Sequence, residues 1–442
     1  MATRSTPPTA AGTPSYVGPF IIVSILFFVF GFLTTLNTFL APLVQAAFDT
    51  DNFQANLINA AFFVAYLLFA TPTARLINAV GYKRTMIIAL LTMSVGTLLF
   101  IPASSTLIYA LFLAAILVLA AGIAALQTSA NPYVSVLGPE HSAPARLTLA
   151  QAFNSVGATL SGNVAGKFIL AKVLTADQVK ALTPEAHHAY QVQMAAAVQK
   201  PYLFFTASLV ILALAVAFAK LPSLQATREF RSGKEGDPVL SRSIWSYRHT
   251  VLAAVAIFCY VGVEVGLGTN MVKYFTLSDI GGFSAAKAAS LVSTFYWGGA
   301  LVGRLLGSWL LNIFNPNRLL ALFGIAAAAV VLISIISTGQ FAVWSILLAG
   351  FFNSIMFPNI FALGTKGLGP LTSKGSGLIM SGVVGGAVIG PIIGQIQDFG
   401  IKVESLPETT AFKHSFLLAI VCYLFIAYYG LWGSKPTRIV QA

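Results

Sequence analysis

The sequence predicts an all-α membrane protein whose twelve transmembrane helices form two pseudo-symmetric bundles of six. Three observations lead to this prediction. The chain of 442 residues is 57% hydrophobic and only 9% charged, whereas a soluble domain carries about 25% charged residues. Twelve apolar stretches run through it, and each approaches the roughly 20 residues that one membrane crossing requires. The first six stretches also share motifs with the last six.

The twelve apolar stretches fall into two groups of six. The first group is residues 17–43, 53–80, 85–101, 107–137, 147–173 and 202–221. The second group is residues 251–275, 285–314, 319–337, 341–363, 376–396 and 415–432.

A charged segment, residues 222–246, separates the two groups, and we expect it to be a solvated linker. A helix lying on the lipid surface is the alternative. The predicted divisions are therefore a tail at 1–16, a bundle at 17–221, the linker, a second bundle at 247–434 and a tail at 435–442.

Two features recur at nearly the same offset in the two halves. Arg84 follows the second stretch and Arg318 follows the eighth, 234 positions later. Leu-Gly-Pro follows the fourth stretch at 137–139 and the tenth at 368–370, 231 positions later. Such repeats are typical of secondary transporters, which bind their substrate between the halves near mid-membrane.

The basic residues predict the orientation. With the N-terminus inside, 17 of the 25 Lys and Arg residues lie on the cytoplasmic side, including every Arg. This positive-inside bias places both termini in the cytoplasm, in a bacterial inner membrane. The net charge of +12 forms no patch or stripe, so it does not indicate nucleic-acid binding.

Glu264 is the one acidic residue of 13 that falls inside an apolar stretch. A carboxylate at the bilayer centre costs roughly 3 kcal/mol even on lenient scales, so it is usually retained for a function. Its position near the middle of the seventh stretch indicates a site for a coupling cation, H⁺ or Na⁺, or for substrate. A structural acid bonded to a neighbouring helix is the alternative.

Four motifs resemble known transporters. Residues 81–84 (GYKR) resemble the loop motif of the major facilitator superfamily. Residues 127–139 (QTSANPYVSVLGP), 146–157 (RLTLAQAFNSVG) and 352–358 (FNSIMFP) resemble the fucose–galactose–glucose:proton symporter family. The resemblance covers nearly the whole chain. It implies the fold of that superfamily and cation-driven uptake of a monosaccharide.

The second half resembles the glucose/galactose branch, through residues 296–299 (YWGG) and 375–377 (GSG). The chain departs from the fucose branch where that branch carries its presumed proton-handling acids. Thr38 stands in place of an Asp and Gln127 in place of a Glu. These departures direct attention to Glu264 and leave an uncoupled facilitator open.

Polar and aromatic side chains within the stretches are candidates for binding a sugar. Amides donate and accept hydrogen bonds, which suits hydroxyl groups, and an indole stacks on the apolar face of a sugar ring. Gln127 and Asn131 share one helix face, as do Gln151 and Asn154. The alternative role is hydrogen bonding between helices. The predicted substrate-binding residues are Asn37, Gln127, Asn131, Gln151, Asn154, Glu264, Trp297, Asn353 and Asn359.

Basic residues at the predicted cytoplasmic helix ends indicate a gate. Arg75, Lys83 and Arg84 flank the loop after the second stretch, and Arg304 and Arg318 are their expected counterparts in the second half.

The motifs favour transport over other classes. No P-loop, HExxH or GxSxG pattern is present, so we expect no enzyme activity, cofactor or metal. The predicted function is a monosaccharide transporter, for a hexose such as glucose or galactose, that acts as a monomer by H⁺ or Na⁺ symport. Alternatives are an uncoupled facilitator, a symporter for fucose, mannose or N-acetylglucosamine, a pore, an intramembrane enzyme and a sugar sensor.

Overall fold

The computed structural model describes residues 16–38, 43–44, 47–48, 52–164, 179, 181–222 and 242–436. Within these residues the ordered elements are all helical. Most of the predicted linker, residues 223–241, and most of both predicted tails lie outside the described residues.

The helices of the first half follow the predicted stretches closely. We number the spans by chain order and count a broken helix as one span. Spans 1 to 6 are Val17–Thr38, Asn52–Val80, Tyr82–Thr106, Tyr109–Val136, Ala143–Val164 and Gln199–Phe218. A shorter helix, Pro184–Ala196, precedes span 6, and the Thr183 side chain caps it by accepting a hydrogen bond from the backbone N–H of Ala186.

Several spans of the second half are interrupted helices. Span 7 is Arg248–Thr276 and span 9 is Pro316–Ile336. Span 8 consists of Ala285–Leu291, a π-helical turn Val292–Trp297 and Gly298–Ile313. Span 10 consists of three helices, Gly339–Leu347, Ala349–Asn353 and Met356–Thr365. Span 11 consists of Thr372–Ser381, a 3₁₀ turn Gly382–Val384 and Gly385–Lys402. Span 12 consists of Glu408–Tyr428 and a π-helical turn Tyr429–Gly433.

Ten stretches of the described residues are long and apolar enough to cross a membrane. Span 5 and the run of helix that forms span 8 occupy the remaining two predicted positions. Each of the twelve predicted stretches therefore contains a helix, and the ends of several differ from the prediction. Residues 39–42 of the first stretch and 165–173 of the fifth lie outside the described residues. Span 12 begins at Glu408, because the helix continues beyond its apolar part into a more polar first turn.

The two halves pack in the same way. In the first half, span 1 packs on span 5, span 3 on span 6, and span 2 on span 4. The equivalent pairs in the second half are spans 7 and 11, spans 9 and 12, and spans 8 and 10. The halves meet where span 2 lies against span 11 and span 5 against span 8.

Matched glycines allow equivalent spans to approach closely. A Cβ on Gly157 of span 5 would collide with the backbone carbonyl of Phe28 in span 1. A Cβ on Gly385 of span 11 would collide in the same way with the carbonyl of Phe258 in span 7. Small residues at helix contacts are typical of membrane bundles, and their repetition supports the duplicated arrangement.

Two polar contacts between the halves lie at one end of the bundle, which we call the linker end. There Lys366 lies 3.8 Å from Glu140, and the Ser373 hydroxyl donates a hydrogen bond to the side-chain oxygen of Asn78. The opposite end, which carries the loop after span 7, is called the distal end. The halves are therefore joined at the linker end in this structure.

Candidate functional site

Glu264 lies within span 7, 16 residues after Arg248 and 12 before Thr276. At 1.5 Å per residue its Cα is roughly 24 Å and 18 Å from the two helix ends. Its side chain is 14% exposed. The prediction of a buried carboxylate near the middle of this helix therefore agrees with the structure.

Glu264 belongs to a network of hydrogen bonds that includes residues of three spans. The Tyr260 hydroxyl donates to Oε1 of Glu264 at 2.6 Å. From span 8, the Tyr296 hydroxyl donates to the backbone carbonyl of Glu264 at 2.9 Å. From span 10, Nδ2 of Asn353 donates to the Tyr296 hydroxyl at 3.0 Å. Spans 7, 8 and 10 are thus joined by one polar network.

The π-helical turn in span 8 positions Tyr296. Such turns are rare and frequently occur at functional sites. Here the turn Val292–Trp297 places the buried Tyr296 at the carbonyl of Glu264. The neighbouring residue, Trp297, is 42% exposed. Trp297 packs edge-on against Tyr296 and also lies against Gly268. Trp297 therefore lies beside Tyr296, a member of the Glu264 network.

Arg304 is placed differently from the prediction. It does not lie with the helix-end cations: it is nine residues before the end of span 8, buried beside Glu264. One guanidinium nitrogen lies 3.9 Å from Oε1 of Glu264. The other terminal nitrogen donates to the Ser155 hydroxyl and, at 3.5 Å, to the backbone carbonyl of Gln151. The difference arises because position 304 lies nine residues inside the helix, where its side chain faces spans 7 and 5.

Arg304 therefore contacts both halves of the protein. Glu264 belongs to the second half and Ser155 to span 5 of the first. The Nε atom of Arg304 is buried and has no partner within the described residues. Buried charges are usually paired, and here the carboxylate of Glu264 is the counter-charge.

Four of the predicted amides have a buried oxygen without a hydrogen-bond partner among the described residues: Asn37, Asn131, Asn353 and Asn359. An unsatisfied buried polar atom costs about 1–3 kcal/mol. These oxygens retain the capacity to accept hydrogen bonds from a hydroxyl-rich ligand. Asn353 differs from the others because it also belongs to the network around Glu264.

Gln127 and Asn131 are both buried on span 4, as their spacing predicts. Nε2 of Gln127 donates to the Tyr66 hydroxyl at 2.6 Å. Nδ2 of Asn131 lies 3.5 Å from the sulfur of Met380 in span 11. Both side chains therefore lie at contacts between spans, and Asn131 lies where the two halves meet.

Two further predicted amides make contacts within one half. Nδ2 of Asn154 lies 3.5 Å from the carbonyl of Phe27, next to Gly31 of span 1. Nδ2 of Asn359 donates to the carbonyl of Pro316 at the start of span 9, 2.9 Å away. Asn359 thus joins span 10 to span 9, and the structure gives it no contact with Glu264.

The remaining predicted gate residues lie at the linker end. Arg75, Arg84 and Arg318 are exposed. Lys83 donates to the carbonyls of Ala217 and Ala219 at the end of span 6, at 2.7 and 2.9 Å. Lys83 therefore stabilises a helix end within the first half, whereas Glu140 and Lys366 connect the halves.

Sequence reasoning missed three members of this site: Tyr260, Tyr296 and the buried position of Arg304. Tyr260 carried a signal, because it is four residues before Glu264 and therefore lies on the same helix face. The sequence also contained a signal for the burial of Arg304, since this residue falls well inside a predicted span. The contact of Tyr296 depends on the π-helical turn, which the residue pattern does not reveal.

Comparison with known proteins identifies the family. The sequence model of the Major Facilitator Superfamily matches residues 22–391. The chain belongs to this superfamily. It is therefore an integral membrane protein with several spans, and the predicted fold class of two six-helix bundles is confirmed.

Characterised relatives are similar over nearly the full length. A glucose/galactose transporter of Brucella abortus is 40% identical over 418 residues, covering 93% of both chains. The L-fucose-proton symporter of Escherichia coli is 35% identical over 402 residues, covering 89% of this chain and 90% of its own. The crystal structure of the transporter FucP in its outward conformation superposes with a TM-score of 0.83 and 34% identity, covering 94% of this chain and 99% of that one. The predicted resemblance to this symporter family is confirmed.

Proposed function

We propose that the protein is a secondary active transporter that imports a monosaccharide together with a proton. The observation that carries this proposal is a buried carboxylate, Glu264, in a chain 40% identical to a glucose/galactose transporter and 35% identical to a fucose-proton symporter. A hexose such as glucose or galactose is the proposed substrate.

The surroundings of Glu264 favour H⁺ over Na⁺ as the coupling ion. A metal cation bound at Oε1 would lie close to the guanidinium of Arg304, 3.9 Å from that oxygen, and like charges at such distances repel strongly in a buried site. A proton forms a covalent bond to the carboxylate and neutralises it without a further ligand. Tyr260 already occupies Oε1 as a donor, which further reduces the oxygen ligands available to Na⁺.

The residues next to the carboxylate suit a sugar. The amide oxygen of Asn353 has no hydrogen-bond partner among the described residues, and Trp297, which is 42% exposed, offers the flat apolar face of an indole. Amide and indole groups recognise hydroxyls and ring faces respectively. We place the sugar between Trp297, Asn353 and the amides of spans 4 and 5, so that Glu264 borders the same cavity.

The chain is proposed to reside as a monomer in a bacterial inner membrane with both termini in the cytoplasm. The linker end then faces the cytoplasm, in accord with the excess of basic residues there. Contacts between the halves at that end support an outward-facing carrier, the conformation of the FucP crystal structure.

Uptake into proteoliposomes tests the proposal. Radiolabelled glucose, galactose and fucose are offered separately under an inward pH gradient, an inward Na⁺ gradient or neither. We expect accumulation above equilibrium for one hexose under the pH gradient alone. Equilibration without accumulation under every gradient would instead establish the uncoupled facilitator, which the loss of the two fucose-branch acids at Thr38 and Gln127 favours as the second candidate.

A further inference from the structure

We infer that Arg304 transmits the protonation state of Glu264 to the contact between the two halves, by exchanging between Glu264 and span 5. This inference rests on the proposed proton symport. It assigns Arg304 a positioning role in coupling, in place of the helix-end gate that its sequence position suggested.

The guanidinium of Arg304 contacts both Glu264 of the second half and span 5 of the first half. Its contact with Glu264, at 3.9 Å, is within the range of an ion pair but is longer than a charge-assisted hydrogen bond. Its contacts with the Ser155 hydroxyl and the Gln151 carbonyl are hydrogen bonds. In this structure the guanidinium is therefore bonded to the first half and lies beside, but not on, the carboxylate of the second half.

Among the described residues around Glu264, Arg304 is the main charged group on which a change of charge at Glu264 can act. The titratable groups that face Glu264 from spans 7, 8 and 12 of the described residues are Tyr260, Tyr296, Tyr423 and Arg304. Arg304 is the only one of these that carries a charge near neutral pH. A change of charge on Glu264 therefore acts chiefly on Arg304.

The direction of the effect follows from electrostatics. When Glu264 is ionised, it attracts the guanidinium and competes with Ser155 and Gln151. When Glu264 binds a proton, the attraction is lost, and Arg304 stays on span 5. Because spans 5 and 8 belong to different halves, protonation strengthens the contact between the halves that is present while the linker end is closed.

The exchange of Arg304 between Glu264 and span 5 would prevent proton transport without sugar. A protonated carrier without sugar would be held with its linker end closed, so it would not carry protons inward alone. Bound sugar, which borders spans 5, 8 and 10, would have to displace Arg304 from span 5 before the halves rock. Tight coupling would then require both the proton and the sugar.

Spin labels at the distal end measure the two conformations directly. We would replace Cys259 and Cys422 with Ser, introduce Thr106→Cys and Ser278→Cys, and record the distance between the labels in lipid nanodiscs from about pH 5 to pH 8. Thr106 ends span 3 and Ser278 follows span 7, so the two labels lie at the distal ends of different halves. The distance between them is therefore long when the distal end is open and short when it is closed. The background protein must first exchange sugar across liposomes. A failure at that step would reject the proposed transport, whereas normal exchange leaves the Arg304 inference to be judged by the labels.

We expect acid pH to increase the open-distal population of the background protein by about tenfold, within the usual range of coupling between sites. Glu264→Gln should hold that population high at every pH. Arg304→Gln should reduce the pH response to less than about twofold, and Arg304→Lys should restore part of it. The matched change Arg242→Gln, at an exposed arginine before span 7, should leave the response intact. A full pH response in Arg304→Gln would overturn the inference.

Ser155→Ala provides a second test if Arg304→Gln does not fold. It removes the hydroxyl acceptor on span 5 and should lower the open-distal population at acid pH. Ser308→Ala is its control, because that hydroxyl bonds within span 8 to the carbonyl of Leu305. Identical populations in Ser155→Ala and Ser308→Ala at acid pH would also overturn the inference.

Discussion

The Tyr260 hydroxyl donates a 2.6 Å hydrogen bond to Oε1 of Glu264, one turn further along span 7. The donor is therefore part of the same rigid helix as the carboxylate and remains in place as the halves move. A hydroxyl donor stabilises an ionised carboxylate more than a protonated one. Tyr260 thus favours release of the proton.

Replacement of Tyr260 with Phe should move the pH dependence of transport. Without the donor, the ionised form of Glu264 is less stable, so the pH at which sugar uptake reaches half of its maximal rate should move upward. The midpoint is measured from initial uptake rates between about pH 5 and pH 9. Tyr428→Phe, at a tyrosine whose hydroxyl accepts from Arg248 outside the site, is the control. An unchanged or lower midpoint in Tyr260→Phe would show that this hydrogen bond does not influence the coupling proton.

Asn353 and Asn359 allow a matched comparison on span 10. Asn353→Ala removes an amide that bonds to Tyr296 and whose oxygen has no partner among the described residues, so sugar affinity should fall by about 1–3 kcal/mol. Asn359→Ala removes the bond to Pro316, so it should lower thermal stability and change affinity less. Isothermal titration and thermal melting of the purified variants distinguish the two effects. If Asn359→Ala weakened sugar binding as much as Asn353→Ala, the proposed position of the sugar would be wrong.

The amides of spans 4 and 5 are predicted to contact the sugar from the first half. Gln127→Ala and Asn154→Ala should each reduce affinity by about 1–3 kcal/mol, because partner groups are left unpaired. Asn312→Ala, at an exposed amide that bonds within span 8, should have no effect. Unchanged affinity in both Gln127→Ala and Asn154→Ala would place the sugar elsewhere.

The close approach of spans 7 and 11 predicts a stability effect. Gly385→Ala would bring a Cβ against the carbonyl of Phe258, and such overpacking costs about 1–3 kcal/mol. Gly394→Ala lies on the same span with open space around its Cβ position, and it should be neutral or stabilising by up to about 1 kcal/mol. Melting temperatures in detergent measure both. Equal melting temperatures would mean that the two spans separate easily at this point.

The fold and the central carboxylate were predictable because both depend on local composition. Twelve apolar stretches and a repeated Leu-Gly-Pro segment identify the two halves, and in the structure Gly138 and Gly369 of those segments both have a positive φ. Glu264 stood out because no other acid lies within a predicted span. These signals need no knowledge of how the helices pack.

The partners of Glu264 depend on packing between helices that are distant in the chain. Arg304 was assigned to the gate as a second-half counterpart of the basic residues after the second stretch, whereas its guanidinium lies beside a carboxylate 40 positions earlier. Tyr296 reaches Glu264 through a π-helical turn, which shifts the register of span 8. The roles of the amides remain predictions, since their contacts fit both sugar binding and helix packing.

The most direct test of the account is whether sugar entry carries protons through Glu264. Proteoliposomes in weakly buffered medium are supplied with the transported hexose, and the external pH is followed without any imposed gradient. We predict alkalinisation of the medium with the wild-type protein and none with Glu264→Gln, while Asp398→Asn, at an exposed carboxylate in span 11, behaves like the wild type. Sugar-driven alkalinisation by Glu264→Gln at the wild-type rate would contradict the central claim.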